Sequence, residues 1–279
     1  MSDSILELKD LEYHYPSASP CLKGIDLTVR RGKNLAVLGA NGAGKTTLLL
    51  QFNGTLRPSR GTILLEGEAV DYSRQGLLKW RQKVGLVFQN PDDQLFAGTV
   101  LQDVSFGPRN LGLPIGEIQK RVGTALAALG IGNVSDRPTH MLSFGQKKRV
   151  ALAGAIAMQP SILILDEPTA GLDPRGAEQF LSILGELKAS GVTLILSTHD
   201  IDLAYEWADE VLILGEGAIV GLGQPGELLR DKGLLATSSL TMPWVLELSQ
   251  ALQKRKLLGD EMPRSRDDLL AQLKMERES

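Results

Sequence analysis

Gly39-Ala40-Asn41-Gly42-Ala43-Gly44-Lys45-Thr46-Thr47 decides how this chain folds. The stretch follows the apolar run Leu35-Ala36-Val37-Leu38 and leads into Leu48-Leu49-Leu50. Strand, glycine loop and helix in that order make a P-loop. Glycines let the backbone wrap a phosphate with no Cβ in the way, and the loop N–H groups converge on the anion. The positive end of the following helix adds to the site. Lys45 is expected to reach the β- and γ-phosphates of a nucleoside triphosphate, and the Thr46 hydroxyl to ligate Mg²⁺.

Outward from the loop, residues 5–15 partly alternate apolar and polar, which predicts a strand at the edge of an antiparallel sheet. Residues 22–29 and 61–70 look similar, with turn chemistry at Arg31-Gly32 and Glu66-Gly67. A short buried strand is expected over 84–88. Residues 118–129 carry apolar side chains at helical spacing, and Gly112, Pro114, Gly130 and Pro138 interrupt the pattern. A mainly helical insert over about 98–158 follows from this. Ile162-Leu163-Ile164-Leu165 and Val192-Thr193-Leu194-Ile195-Leu196 are apolar runs on either side of a helical stretch, 176–189. They indicate parallel strands buried on both faces, before a closing hairpin over 211–222. Beyond Pro225 a helix is expected over 244–252, its apolar stripe made by Trp244, Val245, Leu248 and Leu252. Residues 253–279 are highly charged, with a short helix around 269–273. The fold expected is α/β: a P-loop NTPase core with a RecA-like parallel sheet, an antiparallel β subdomain and an inserted α-helical subdomain within residues 1–225. Residues 226–279 form a C-terminal helical extension.

Composition narrows the function. Of 279 residues, 43% are hydrophobic and 23% charged, which is ordinary for a globular protein. A net charge of -3 gives no global footprint for nucleic acid, and no nucleic-acid partner is expected. Cys21 is the single cysteine, so no disulfide forms within the chain; it is expected to be a small buried or loop hydrophobe. Met1-Ser2-Asp3-Ser4 lacks the basic and apolar regions of a signal peptide. No uncharged apolar run approaches the length of a membrane span. Any membrane role must therefore come through a partner.

Asp166 and Glu167 follow the run 162–165, and strand ends in parallel sheets face the ligand crevice. An acid there can hold the Mg²⁺ shell, which is assigned to Asp166; Glu167, one residue on, can polarise a water that attacks the γ-phosphate. Gln89, ending another strand, can bind Mg²⁺ or position water. His199 can donate to the γ-phosphate or orient the attacking water. Leu142-Ser143-Phe144-Gly145-Gln146-Lys147-Lys148-Arg149 opens a further helix, with Ser143 as N-cap or phosphate donor. Its basic first turn is poor for the helix dipole, which points to something anionic or acidic nearby. Two phosphate-type helix ends either grip one nucleotide together, or one of them grips a neighbour's.

These motifs resemble, across residues 1 to about 225, those of the ATP-binding-cassette ATPases. Walker A is 39–47, the Q-loop is at Gln89 and the signature motif is 142–146. Walker B is 162–166 followed by Glu167, the D-loop is Ala170-Gly171-Leu172-Asp173, and the switch histidine is His199. The resemblance implies a head-to-tail homodimer in which each ATP lies between Walker A of one chain and the signature of the other. Gly39, Asn41, Gly42, Ala43, Gly44, Lys45, Thr46 and Thr47 would then hold the nucleotide in cis, and Ser143, Gly145 and Gln146 in trans. Tyr15 matches the aromatic that stacks on adenine in the family, and Tyr13 on the same strand face fits the pattern equally. Two positions depart from the family pattern: Phe144 replaces the first signature glycine, and the D-loop reads Ala-Gly-Leu-Asp instead of Ser-Ala-Leu-Asp.

Residues 87–96, Val-Phe-Gln-Asn-Pro-Asp-Asp-Gln-Leu-Phe, look like the Q-loop of energy-coupling-factor transporter ATPases. The Phe-containing signature resembles their cobalt and nickel branch. That resemblance implies a motor on the cytoplasmic face of a membrane, driving cobalt uptake, with nickel or vitamin import, or a non-transport ATP-binding-cassette ATPase, as alternatives. A transmembrane coupling subunit and a metal-specific membrane subunit would be its partners, with Leu95 and Phe96 as apolar anchors for coupling helices.

Overall fold

Every residue of β3 (Asn34–Leu38), β7 (Ile162–Asp166) and β8 (Thr193–Ser197) is buried. Alternation still operates in these strands, because each face meets a different core. Leu35, Val37, Ile162, Ile164 and Ile195 join one apolar cluster, while Ala36, Leu38, Leu163, Leu165, Leu194 and Leu196 join the other. A sheet covered on both faces needs apolar residues at every position, which is why these runs are continuous. The computed structural model describes residues 3–16 and 19–275. The expectation that no signal peptide is present rests partly on Met1 and Ser2, and that of a charged tail partly on residues 276–279; those residues lie outside the described ones.

Two sheets form the scaffold. In the first, β10 (Ala218–Gly223), β9 (Glu210–Gly215), β3, β8, β7 and β6 (Val84–Val87) lie side by side in that order. All run parallel except β10, which forms the closing hairpin with β9. The second is antiparallel, ordered β2 (Pro20–Arg30), β1 (Ser4–His14), β4 (Arg60–Leu65) and β5 (Glu68–Ala69). This corrects one expectation: β1 is an interior strand, paired with β2 on one side and β4 on the other. Its charged outward residues suggested an edge, but they face solvent across the sheet plane. Glu66 and Gly67 both have positive φ, 54° and 86°, as a tight turn between β4 and β5 demands. Helix α1 (Lys45–Phe52) contributes Leu48, Leu49 and Phe52 to the apolar cluster shared by the two sheets.

Helix α2 (Arg74–Lys83) precedes β6 and was not legible, because Trp80 is its one buried side chain among four basic residues. Helices α3 (Val100–Asn110), α4 (Ile115–Ala128) and α5 (Phe144–Ile156) make the insert between β6 and β7. α6 (Pro174–Ala189) crosses from β7 to β8, and the short α7 (Ile201–Trp207) joins β8 to β9. The chain then runs through α8 (Pro225–Leu228), α9 (Lys232–Thr237), α10 (Trp244–Lys254) and α11 (Arg266–Met275).

The extension is packed onto the core, and the buried face of α10 keeps Val245 of the expected stripe but is rotated away from Trp244 and Leu248. Val245, Leu246 and Ser249 are buried, whereas Trp244 and Leu248 are 44% and 42% exposed. Three polar side chains, Asp202, Tyr205 and Arg264, fasten it to α7. The Trp244 N–H donates to Asp202 (2.9 Å), the buried Tyr205 hydroxyl donates to the Pro263 carbonyl (3.0 Å), and Arg264 caps the end of α7 by donating to the Tyr205 and Ala208 carbonyls. Tyr205→Phe removes one donor and leaves a buried carbonyl unpaired, which should cost about 1–3 kcal/mol. Denaturant unfolding of the full chain measures this; an unchanged midpoint would show that the tether carries no stability.

Candidate active site

The P-loop connects β3 to α1 at the mouth of a cavity of ≈ 720 Å³. Its backbone needs glycine where the sequence has it. Gly39 has φ 153°, and a Cβ there would lie 2.4 Å from the Leu214 carbonyl; Gly44, the N-cap of α1, has φ 104°. No side chain caps α1, so its first-turn N–H groups are not claimed by a cap. Lys45 is 8% exposed and folds across the loop, donating from Nζ to the carbonyls of Gly39 (2.7 Å) and Ala40 (3.3 Å).

Around this loop the cavity gathers Gly39, Asn41, Gly42, Gly44, Lys45, Thr46, Thr47, Gln89, Asp166, Glu167 and His199, from four separate parts of the chain. Ala43 instead points into the apolar cluster between the sheets. Thr46 Oγ1 donates to Asp166 Oδ2 at 2.8 Å, and Ser197 donates to the other oxygen of that carboxylate. Glu167 accepts contact from His199 Nδ1 at 2.9 Å, its backbone N–H donates to Ser197 Oγ (3.1 Å), and its φ is 46°. A left-handed φ at a non-glycine residue is strained and needs support from its surroundings. Glu167 is 8% exposed, while His199 stands largely in solvent.

Tyr15 lies beside the cavity, 40% exposed, its hydroxyl 3.2 Å from Thr47 Oγ1; Tyr13 is 9% exposed and meets it edge to face. Sequence reasoning missed three wall residues. Cys21, expected as a small buried or loop hydrophobe, packs partly buried against the apolar cluster and also reaches Thr47 (3.4 Å) in the cavity wall. Ser239 and Leu240 come from the C-terminal extension, where no pattern marked them.

Ser143, Gly145 and Gln146 line a different cavity, shared with Gly171, Leu172 and Asp173. Ser143 caps α5 in a reciprocal box: its Oγ accepts from Gln146 N, and Gln146 Oε1 accepts from Ser143 N. The basic first turn of α5 finds its acid in Asp92, which pairs with Lys147 at 2.6 Å. Gln94 adds a second staple, accepting from Phe88 N and donating to the Leu86 and Ala151 carbonyls. Gln89's loop is thereby fixed to the helical insert. Leu95 packs partly buried against the core, while Phe96 is 65% exposed and meets the exposed Phe106 edge to face at 4.6 Å.

The family model described as ABC transporter matches residues 22–170. This chain belongs to the ABC transporter family. The cassette is 51% identical over 271 residues to the cobalt import ATP-binding protein CbiO of Rhodobacter capsulatus, spanning 96% of this chain and 97% of that protein. It is 49% identical over 259 residues to the energy-coupling factor transporter ATP-binding protein EcfA of Methanococcus maripaludis, spanning 93% of each. Its structure matches cbiO1 of Clostridium perfringens, described as part of the ABC transporter complex cbiONQ, with TM-score 0.76 and 47% identity over 89% of this chain and 100% of that one. It is an ATP-binding-cassette ATPase of the energy-coupling-factor type, an enzyme whose ATP hydrolysis is coupled to import. Among the described residues no helix is long and apolar enough to cross a membrane.

Proposed function

We propose that this cassette is the motor of a cobalt importer. It works as a homodimer on the cytoplasmic face of the membrane, bound to a transmembrane coupling subunit and a metal-specific subunit. One observation carries the dimer: the nucleotide-facing residues are divided between two cavities. The P-loop, Asp166, Glu167 and His199 share one, and the signature turn lines another. A single chain thus presents half a site on each of two surfaces, and head-to-tail pairing completes both. The 1–225 cassette with its 98–158 insert and the 226–279 extension are proposed as its working divisions.

Thr46, Asp166 and Gln89 offer the cavity only oxygen donors, a set that fits Mg²⁺. Among the described residues no three His, Cys, Asp or Glu side chains group as a metal site, so the ion would share its shell with the phosphates. When bound it neutralises charge on the β- and γ-phosphates. Lys45 adds a fixed positive charge, and Tyr15, the more accessible of the two tyrosines, stacks on the base. Water attacks the γ-phosphorus in line, the bond to the bridging oxygen breaks, and ADP departs with its electron pair. Glu167 orients that water and takes its proton, while His199 holds the Glu167 carboxylate. Ser143, Gly145 and Gln146 of the second copy contact the γ-phosphate. Closure of the dimer moves the paired Q-loops and helical inserts, and the Phe96–Phe106 surface transmits this to the coupling subunit.

Cobalt rests on the relatives named above. The test is uptake of labelled cobalt and nickel in cells lacking this chain, complemented with wild type or Glu167→Gln. Cobalt uptake restored by wild type alone is the expected result. Restored nickel uptake would keep the motor and change the cargo. Recovery of neither metal would overturn the assignment to metal import.

A further inference from the structure

Lys148 has no part in the reaction described above, yet it is among the most deeply buried charged groups. It is 1% exposed, and its Nζ donates to the backbone carbonyls of Glu167 (2.9 Å) and Pro168 (2.8 Å). Among the described residues no carboxylate forms an ion pair with it. The ring of Phe144, one turn earlier on α5, lies 5.6 Å from the same nitrogen. Burial pushes the Lys148 ammonium down to about 8, with the charges of Glu167 and Asp166 opposing that fall. Methionine would fill the same space without this desolvation, so packing alone does not account for a lysine here.

The same turn of α5 touches the Glu167 loop twice more. A Cβ on Gly171 would meet the Phe144 ring at 2.6 Å, and Leu172 lies 3.5 Å from where a Cβ on Gly145 would stand. The two departures from the family pattern therefore face each other. The ring at position 144 occupies the space that a side chain at 171 would need. Gly171, at φ 76°, and Glu167, at φ 46°, both sit in the left-handed region within this five-residue loop. Turn bonds from Ala170 N to the Glu167 carbonyl and from Leu172 N to the Thr169 carbonyl brace this loop from within, Ser197 holds the Glu167 N–H, and Lys148 and Phe144 support it from behind. Its front is the Glu167 carboxylate, which faces the P-loop cavity.

We infer that Lys148 is a positioning residue, tying the loop that carries Glu167 to the α5 turn that meets the partner's nucleotide, with Phe144 on Gly171 as the second point of attachment. Seating a nucleotide on Ser143 and Gly145 thereby sets the Glu167 backbone in the chain's own site. The coupling rests on the head-to-tail dimer proposed above; the positioning of Glu167 does not.

The test uses the full chain with Lys148→Met, Lys148→Gln and Phe144→Ala. ATP affinity is measured by equilibrium binding, and kcat and KM by steady-state hydrolysis. Lys148→Met should lower kcat by about tenfold or more, since small displacements of a catalytic group are costly, while ATP affinity stays within about twofold. Lys148→Gln keeps an amide donor for the two carbonyls and should recover part of the loss. Combining Lys148→Met with Phe144→Ala should cost little more than the worse single change, because both free the same loop. A wild-type kcat in Lys148→Met overturns the inference. So does a parallel loss of kcat, affinity and melting temperature that glutamine does not relieve. If the methionine variant does not fold, Lys148→Gln decides: a lowered kcat at unchanged affinity supports the role, and an unchanged kcat refutes it. MgATP-driven dimerisation of Glu167→Gln, followed by size-exclusion chromatography, tests the dimer separately. Its absence would remove the cross-site coupling, while the kcat split would still decide the positioning role.

Discussion

Glu167→Gln is expected to lower ATP turnover by about 10²–10⁴-fold, the usual worth of a positioned acid–base group. Binding should survive, because Glu167 is not part of the phosphate cradle that Lys45 and the P-loop backbone form. The amide matches the carboxylate in shape and can still meet His199, which contacts Glu167 Oε2 at 2.9 Å. It cannot take a proton from water. Closure by MgATP then proceeds without hydrolysis to reverse it, and a stable ATP-bound dimer should accumulate. Turnover assays and chromatography with MgATP measure the two effects. Hydrolysis near the wild-type rate would remove Glu167 from the mechanism and send the search for a base to Gln89 or His199.

Lys45→Ala should weaken ATP binding by about 10- to 100-fold, as the loss of a charge-assisted phosphate contact worth about 1.5–3 kcal/mol implies. In the structure Lys45 is held against the Gly39 and Ala40 carbonyls, so its ammonium is already placed across the loop. Little ordering is left for binding to impose, and more of the contact energy is realised. The substitution also removes two hydrogen bonds that brace the loop, so a small fall in stability should accompany the loss of affinity. Equilibrium binding of ATP measures the main effect. Unchanged affinity would show that backbone N–H groups alone carry the phosphates.

The cavity formed by the P-loop, Asp166 and Glu167 was legible in the chain because its parts are local. A P-loop is a run of consecutive residues whose glycines have no substitute: a Cβ on Gly39 would strike the Leu214 carbonyl. Asp166 and Glu167 end a strand whose apolar residues show that both of its faces are covered. Elements with weak patterns were not legible. α2 buries one side chain, and α7 spans seven residues. β1 was placed at an edge because its polar residues face solvent, and alternation along a strand does not reveal which neighbours flank it. The stripe read on α10, Trp244, Val245, Leu248 and Leu252, placed Val245 correctly, but the surface it meets takes Leu246 and Ser249 beside it and leaves Trp244 and Leu248 exposed.

By itself the sequence determined the family of folds, the phosphate loop and the acids beside it, because each depends on residues close along the chain and on the stereochemistry of glycine and buried strands. Only the tertiary structure decided which groups share a cavity. It separated the signature turn from the P-loop and brought Cys21, Ser239 and Leu240 to the wall of the P-loop cavity. It set Lys148 behind Glu167, nineteen residues away along the chain. Contacts of that kind arise where packed elements meet, and no local pattern of residue types encodes the distance between them.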